Sequence, residues 1–325
     1  MKTNAHSILR NISFLTVILI LLVSCKKEQK KVEEITTQTE EKTPFFKISL
    51  AQWSMNKAIR FEGMNPMDFA QKAHELGFEG IEYVSQLYTK KLEEMTMDVL
   101  LDSLKIKSEQ YKVKNVLIMI DGEGDLSSPD EVKRNEAVEN HKKWVDAAKF
   151  LGCHSIRVNT FGTNDPKEWI KSTEDGLRKL SEYAATKSIN VLVENHGWLS
   201  SDAPKVVEVM KAVNMPNCGT LPDFGNWCVK RKDGEKWGEC IEEYPDKYQG
   251  TQLIMPFAKA VSAKSYDFNE KGDETKIDYT KMLQIVKDAG YSGYIGIEYE
   301  GDRLSEEAGI LATKNLLIEA SKKVN

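Results

Sequence analysis

The stretch Val191–His196 reads VLVENH, a short apolar run that stops on the carboxylate of Glu194. The same pattern recurs twice further along the chain. Leu221–Asn226 reads LPDFGN, and Ile295–Glu300 reads IGIEYE. Short, nearly uncharged apolar runs are typical of strands that are buried on both faces, as in parallel sheets. The three stretches therefore predict parallel strands that each end on an acidic side chain.

Five further apolar runs occur along the chain, and longer amphipathic stretches lie between all of them. The predicted strands are Lys47–Gln52, Gly80–Val84, Asn115–Ile120, Ser155–Asn159, Asn190–Glu194, Gly219–Asp223, Ala258–Lys264 and Tyr294–Glu298. The predicted helices are Pro66–Leu76, Met97–Tyr111, Glu131–Leu151, Lys167–Lys187, Ala203–Val213, Tyr279–Ala289 and Ser305–Lys322. Eight strands that alternate with helices predict a single (β/α)8 TIM barrel over residues 45–325, an α/β fold. A doubly wound sheet is the alternative, but no glycine-rich phosphate turn follows the first predicted strand.

The composition agrees with a folded body of this size. The chain has 325 residues, of which 41% are hydrophobic and 29% are charged, and these fractions exclude wholesale disorder and a polytopic membrane protein. The formal net charge is −5, from 45 basic and 50 acidic side chains, so no general attraction to phosphate backbones is expected and we predict no nucleic-acid partner. Because the chain has only five histidines, a metal site built mainly from imidazole is also disfavoured.

The N-terminal residues differ in composition from the rest of the chain. Ile12–Val23 is a nearly unbroken apolar run, too short to span a bilayer but of the length of a signal-peptide core. It ends at Ser24 and Cys25, in the pattern of a bacterial lipobox. We therefore predict that residues 1–24 are a signal peptide, that Cys25 is lipidated, and that the polar residues 25–44 form a disordered tether. An uncleaved anchor helix is the alternative. Both interpretations place the barrel in the cell envelope, on the periplasmic side or at the cell surface, with the anchor as its contact with the membrane.

The connection after the sixth predicted strand, residues 226–251, is long and carries two tryptophans and two cysteines, namely Trp227, Trp237, Cys228 and Cys240. Its length and composition predict a lid or rim insertion over the carboxyl ends of the strands. Since an exported protein meets an oxidising compartment, we predict a disulfide between Cys228 and Cys240, with two free thiols as the alternative.

Functional groups of (β/α)8 barrels lie at the carboxyl ends of the strands, where the three acidic side chains are expected. Strand alternation places Glu194 on the same face as Leu192, and Glu298 on the same face as Gly296. If this face is the barrel interior, Glu194, Asp223 and Glu298 converge and repel one another. A divalent cation would offset that repulsion, and oxygen ligands favour Mn²⁺ or Mg²⁺. The simpler interpretation is that each acid faces solvent or caps the helix that follows it.

Four motifs resemble those of the xylose-isomerase-like sugar isomerases and epimerases, a barrel superfamily that also contains the abasic-site endonuclease. They are LGFEGIE at Leu76–Glu82, VENH at Val193–His196, PDFGN at Pro222–Asn226 and GIEYE at Gly296–Glu300. The resemblance extends from about Phe46 to the C-terminus. An endonuclease of this superfamily uses a histidine-rich cluster of several metals, and this chain has too few histidines at its predicted strand ends for such a site.

The resemblance implies that the three strand-end acids are metal ligands. The family usually adds a histidine on the seventh strand in a His-x-Lys pattern. Here Ser262 stands where that histidine would be, and Lys264 matches the lysine. A cation can then be held by three carboxylates and water, or with His196 as a further ligand. Alternatively, the Lys264 ammonium neutralises the carboxylates without a metal.

The resemblance also implies a reaction at a carbon next to a carbonyl group. In the family, two glutamates flank a keto-sugar, and one removes a proton while the other returns it on the opposite face. The implied catalytic residues are Glu194, Glu298 and Lys264. The predicted substrate-binding residues are Glu82, Arg157, Asn159, His196 and Asn226. Rim salt bridges are the alternative for the first three, and some epimerases have a histidine at the position of Asn226.

We therefore predict an isomerase or epimerase of a non-phosphorylated keto-sugar or related carbohydrate, because an exported enzyme is expected to meet free or glycosidic sugars rather than sugar phosphates. If a leaving group lies β to the carbonyl, the same first step ends in elimination from a 3-keto-glycoside, which is the alternative activity. A second alternative is a sugar-binding lipoprotein that has kept the barrel without turnover.

Overall fold

Eight parallel strands and their connecting helices form a closed sheet in residues 43–325, which are the residues that the structure, a computed structural model, describes. The eight strands of the barrel are β1 (Lys47–Ala51), β2 (Gly80–Val84), β3 (Lys114–Met119), β4 (Ser155–Val158), β5 (Asn190–Glu194), β6 (Cys218–Leu221), β9 (Val261–Ser265) and β10 (Tyr294–Tyr299). Two further strands, β7 (Cys228–Arg231) and β8 (Cys240–Glu243), form a separate sheet. The helices are α1 (Asn56–Phe61), α2 (Phe69–Glu75), α3 (Thr89–Glu94), α4 (Met97–Gln110), α5 (Glu131–Leu151), α6 (Pro166–Thr186), α7 (Ala203–Val213), α8 (Lys247–Ile254), α9 (Tyr279–Asp288) and α10 (Glu306–Lys323).

The order of neighbouring strands is β6-β5-β4-β3-β2-β1-β10-β9, and all these pairs are parallel. The two outer strands of this order meet, because Asp223, just after β6, pairs in parallel with Ser262 of β9. Thr220 makes a second parallel bridge to Ala258. The sheet thus closes on itself, and the predicted TIM barrel is confirmed.

Local sequence explains several helix boundaries. The Asp130 side chain accepts hydrogen bonds from the Val132 and Lys133 amides at the start of α5, and Gly152 ends that helix with a φ of 75°. An acidic N-cap and a left-handed glycine after the last turn are common helix boundaries. The predicted bounds of α5 agree with the structure for this reason.

Strand alternation separates the interior from the helix-facing side. In β5, Val191 and Val193 belong to the larger apolar cluster, whereas Leu192 belongs to the smaller one. Glu194 lies on the face of Leu192, as a period of two requires. The acidic end of the strand is therefore directed to the inside of the barrel.

The connection between β6 and β9 contains more regular structure than the sequence predicts. β7 and β8 form an antiparallel hairpin, and α8 follows with Asp246 as its N-cap. A short 3-10 helix, Met255–Phe257, then precedes the last turn into β9, which begins at Val261 rather than at the predicted Ala258.

The predicted signal peptide, Cys25 and nearly all of the predicted tether lie outside the described residues. Among residues 43–325, no helix is both long and apolar enough to cross a bilayer.

Candidate active site

Three acidic side chains converge at the carboxyl ends of β5, β6 and β10. Glu194, Asp223 and Glu298 each offer one carboxylate oxygen, and these three oxygens lie within 4.8 Å of one another. The residues are 2%, 0% and 4% exposed, respectively. The structure thus brings together the three acids that the strand pattern singled out, and it buries them rather than directing them to solvent.

Glu194 is held by one cation and one amide. The Arg157 Nε atom lies 2.8 Å from Oε2 of Glu194, and Nδ2 of Asn226 donates to Oε1 at 3.0 Å. Arg157 is itself buried, makes an ion pair of 3.1 Å with Asp121 and donates to Oδ1 of Asn159 at 3.2 Å. The guanidinium therefore fixes one oxygen of Glu194, while the other oxygen meets only a neutral donor.

Asp223 is held by the loop that follows it and by β9. Its Oδ1 atom accepts hydrogen bonds from the backbone amides of Gly225 and Asn226, at 2.8 and 2.7 Å. Its Oδ2 atom accepts a hydrogen bond from the Ser262 hydroxyl. Ser262, at the position where the family usually has histidine, therefore contacts the acidic cluster through a neutral hydroxyl group.

Lys264 lies beside Glu298. Its ammonium is 3.1 Å from Oε1 of Glu298 and 3.1 Å from Oε2 of Glu300, and the lysine is fully buried. The other oxygen of Glu298 lies 3.3 Å from the Ser262 hydroxyl. Glu300 also accepts a hydrogen bond from the Trp53 indole. One ammonium is thus shared by two carboxylates.

The burial of these charges perturbs their protonation. Removal from water raises the pKa of Asp223 to about 8 and that of Glu298 to about 7, although the Lys264 charge acts in the opposite direction on both. Burial also raises the pKa of Glu194, against the effect of Arg157. The cations at the site do not balance the carboxylates, so the cluster favours additional positive charge.

The donor set fits a divalent cation. Each of the three acids has one oxygen that is fixed by a cation or by backbone amides and a second that contacts only a neutral side chain. Carboxylate oxygens without a thiolate or an imidazole suit Mn²⁺ or Mg²⁺. Glu194, Asp223 and Glu298 are the residues that would hold such an ion.

A cavity of about 610 Å³ opens beside the acidic cluster, and of the three acids Glu298 lines it. Glu300 also lines this cavity. Four of the five predicted substrate-binding residues line it as well, namely Arg157, Asn159, His196 and Asn226. Glu82 is not among the lining residues. It is 1% exposed, its carboxyl accepts a 2.6 Å hydrogen bond from Ser49, and burial raises its pKa to about 8. The structure therefore places Glu82 inside the barrel and away from the cavity wall.

The hydrogen-bond network assigns the tautomer of His196. Nδ2 of Asn159 donates to Asp121, so Oδ1 of Asn159 faces both Arg157 and Nδ1 of His196, the latter at 2.7 Å. Nδ1 must then carry the proton. Burial lowers the pKa of His196 to about 3, so the ring is neutral and its Nε2 atom is an acceptor.

Asp121 and Glu300 are site residues that the sequence analysis did not single out. Asp121 follows the apolar β3, which is the same strand-end pattern that identified Glu194. Glu300 lies two residues after Glu298, and therefore on the same side of the chain in an extended segment. Both signals were available in the sequence, but their ion pairs depend on contacts between strands.

The β7–β8 hairpin forms one side of the cavity. Cys228 and Cys240 are joined by a disulfide, with Cα atoms 5.8 Å apart. Arg231, Lys236 and Trp237 of this hairpin line the same cavity as Glu298. The insertion after the sixth strand of the barrel thus lies at its rim, as its length and composition predict.

The fold and the site define a (β/α)8 barrel with an acidic, polar cavity at the carboxyl ends of its strands. Residues 70–320 match the family described as xylose isomerase-like TIM barrel, and the chain belongs to this family.

Two solved structures show the same fold. The IOLI protein with a bound zinc atom is 16% identical, with a TM-score of 0.64, and the alignment covers 86% of this chain and 99% of that chain. The 3-keto-D-glucoside 4-epimerase from E. coli is 16% identical, with a TM-score of 0.61, and the alignment covers 83% of this chain and 98% of that chain.

A short stretch is similar to a characterised protein. It is 42% identical over 48 residues to the 3'-dehydrocarminate deglycosidase alpha subunit from Microbacterium sp. This match covers 15% of this chain and 14% of that relative.

Proposed function

We propose that this chain removes a proton from the carbon next to the carbonyl group of a non-phosphorylated keto-sugar and acts as an isomerase or epimerase. The observation that carries the proposal is the pair of buried glutamates, Glu194 and Glu298, whose oxygens lie within 4.8 Å of each other in one cluster. Glu298 lines the cavity. Glu194 contacts Arg157 and Asn226, which also line it. Inversion of a carbon centre needs a base on one face and an acid on the other, and the carboxyls of β5 and β10, which are separated by β6 and β9 in the closed sheet, supply both.

Other side chains of the cavity hold the sugar between the two glutamates. The Nε2 lone pair of His196 accepts a hydrogen bond from a sugar hydroxyl, and the Asn226 amide steadies Glu194. Arg157 favours the ionised form of Glu194, so that this residue is available to accept a proton. In the same way, the Lys264 ammonium favours the ionised form of Glu298.

A divalent ion belongs to this proposal. Glu194, Asp223 and Glu298 would hold it, and when bound it would polarise the substrate oxygens and stabilise the negative charge that develops on them.

The second candidate activity is elimination from a 3-keto-glycoside. Two observations favour it: the cavity of about 610 Å³ offers more room than one hexose requires, and two of the three similar proteins named above, the epimerase and the deglycosidase subunit, are named for sugars oxidised at position 3. The proton leaves C2, its electron pair forms the C1–C2 double bond, and the C1–O bond breaks. The leaving oxygen takes up a proton, and the products are an unsaturated keto-sugar and an alcohol.

One experiment separates these activities. Keto-sugars and 3-keto-glycosides are incubated with the protein in D₂O and followed by NMR. For the first activity we expect deuterium uptake next to the carbonyl group together with an isomeric sugar. For the second we expect a released alcohol, with or without deuterium uptake, because elimination leaves no hydrogen on C2. Binding with neither exchange nor a released alcohol would identify a sugar-binding protein and contradict both.

Two variants and a control assign the chemistry to the glutamates. Glu194→Gln and Glu298→Gln each keep the side-chain shape but remove a base, and we expect each to slow exchange by about 10²–10⁴-fold. Glu136→Gln, on the exposed face of α5, serves as the matched control and should keep the wild-type rate. Wild-type exchange in both active-site variants would refute the assignment.

A further inference from the structure

The cavity continues beyond the acidic cluster to the β7–β8 hairpin. Trp237, in the turn of this hairpin, lines the same cavity as Glu298 and is 54% exposed. A large aromatic side chain that is half exposed in a cavity leaves apolar surface in contact with water. None of the steps proposed above uses it.

Trp237 belongs to an aromatic wall. Its ring centroid lies 5.0 Å from that of Phe161 and 5.1 Å from that of His196. Phe161 in turn packs edge-on against Trp198, with centroids 5.7 Å apart. The wall therefore begins at His196, which contacts the catalytic network, and extends outward to the tip of the hairpin.

The wall is held in place from several directions. The disulfide between Cys228 and Cys240 links the two strands of the hairpin. At the tip, Lys236 makes an ion pair of 3.0 Å with Asp125, in the loop after β3, and the Trp198 indole donates to the carbonyl of Glu235 at 3.1 Å. A binding surface that is fixed before the ligand arrives loses less entropy on binding.

A polar group accompanies the aromatic surface. Arg231 lines the cavity, and its Nη1 atom donates to the carbonyl of Gly238 at 2.6 Å, which holds the guanidinium in place. A guanidinium has five N–H donors, so Arg231 can also donate to a ligand oxygen in the cavity.

We propose that Trp237, Phe161 and Arg231 form a second subsite that binds a ring attached to the reacting sugar. The substrate is then a glycoside, a sugar joined through oxygen to a second ring, rather than a free monosaccharide. This inference rests on the proposed function for the identity of the reacting sugar. Trp237 and Phe161 pack on the second ring, and Arg231 donates to one of its oxygens.

The test uses unoxidised glycosides, which bind but have no carbonyl group next to which a proton could be removed. The 4-nitrophenyl and methyl β-glycosides of glucose and galactose are titrated by calorimetry. We expect the wild-type protein to bind the nitrophenyl member of one pair about tenfold more tightly than the methyl member. Trp237→Ala should reduce this preference to about twofold or less, and Trp237→Phe should keep most of it.

Phe150→Ala is the matched control, because Phe150 is a half-exposed aromatic on α5 that does not line the cavity. It should leave the preference unchanged. Equal affinities for the two members in wild type, an unchanged preference in Trp237→Ala, or no binding of any nitrophenyl glycoside would each overturn the subsite. Deuterium exchange on the same preparations separates the two proposals: exchange without ring preference refutes the subsite, and ring preference without exchange refutes the proposed function.

Discussion

Gly296→Ala tests how the barrel interior is packed beneath the acidic cluster. A Cβ atom built on Gly296 would lie 2.5 Å from both carboxyl oxygens of Glu82 and 2.7 Å from its Cδ atom. Glu82 has little freedom to withdraw, because it is 1% exposed and hydrogen-bonded to Ser49. Adding a methyl group to a filled interior costs about 1–3 kcal/mol, so we expect Gly296→Ala to reduce the free energy of unfolding by that amount.

Two second-site variants identify the cause. Glu82→Ala removes the atoms that the new methyl group would meet, whereas Glu82→Gln keeps their shape. Since burial raises the pKa of Glu82 to about 8, its carboxyl is mostly protonated at neutral pH, and glutamine is a close neutral substitute. We expect the Gly296→Ala/Glu82→Ala double variant to lose about 1–3 kcal/mol less unfolding free energy than the sum of its two single variants. The Gly296→Ala/Glu82→Gln double variant should lose almost the full sum.

The assay is denaturant unfolding followed by circular dichroism at neutral pH, with all single and double variants measured under the same conditions. Additive effects in the Glu82→Ala cycle would refute the reasoning, as would a loss below about 0.5 kcal/mol in Gly296→Ala alone. Either result would mean that Glu82 is not packed against β10 as described.

Three further predictions concern the site and its location. Asp223→Asn should weaken Mn²⁺ binding to metal-free protein by at least about tenfold, as measured by calorimetry, and an unchanged affinity would count against the metal site. Lys264→Met removes the ammonium between Glu298 and Glu300, so the pKa of Glu298 should rise above its present value of about 7. A carboxyl whose pKa is raised in the folded state binds more protons folded than unfolded, so its contribution to stability falls as the pH rises toward that pKa. Wild-type Glu298 ionises near pH 7, whereas the variant's carboxyl stays protonated to higher pH, so in chelator-treated protein the stability lost by Lys264→Met should grow as the pH rises above about 7. A loss independent of pH would contradict this account. Cys25→Ala should release the protein from the membrane fraction, and unchanged fractionation would refute lipidation at Cys25.

The strand-end acids could be predicted because their signal is local. Glu194 follows an apolar run with a period of two, and the barrel then brings every strand end to one rim. Neither step needs knowledge of a specific contact. The family motifs also indicated in which order the three predicted metal ligands follow one another along the chain.

The position of Glu82 could not be predicted in this way. It also lies on a strand beside an apolar run, but its carboxyl fills the space left by the missing side chain of Gly296, two strands away in the sheet. Such a contact depends on how β1 pairs with β2 on one side and with β10 on the other. These two registers cannot be read from a local sequence pattern. The same holds for the aromatic wall, because Phe161 and Trp237 come from loops after different strands.

The structure also bears on the two sources of positive charge that the sequence left open, a cation or Lys264 alone. One ammonium cannot offset the whole cluster, because Lys264 is shared between Glu298 and Glu300 and makes no ion pair with Asp223 or Glu194 among the described residues. Its bond to Glu298 uses Oε1, whereas Oε2 is directed to Ser262 and the other acids. Lys264 therefore orients Glu298 and leaves room for a cation. A serine at position 262 removes an imidazole donor, and the three inward oxygens that remain form a harder donor set than the usual family arrangement.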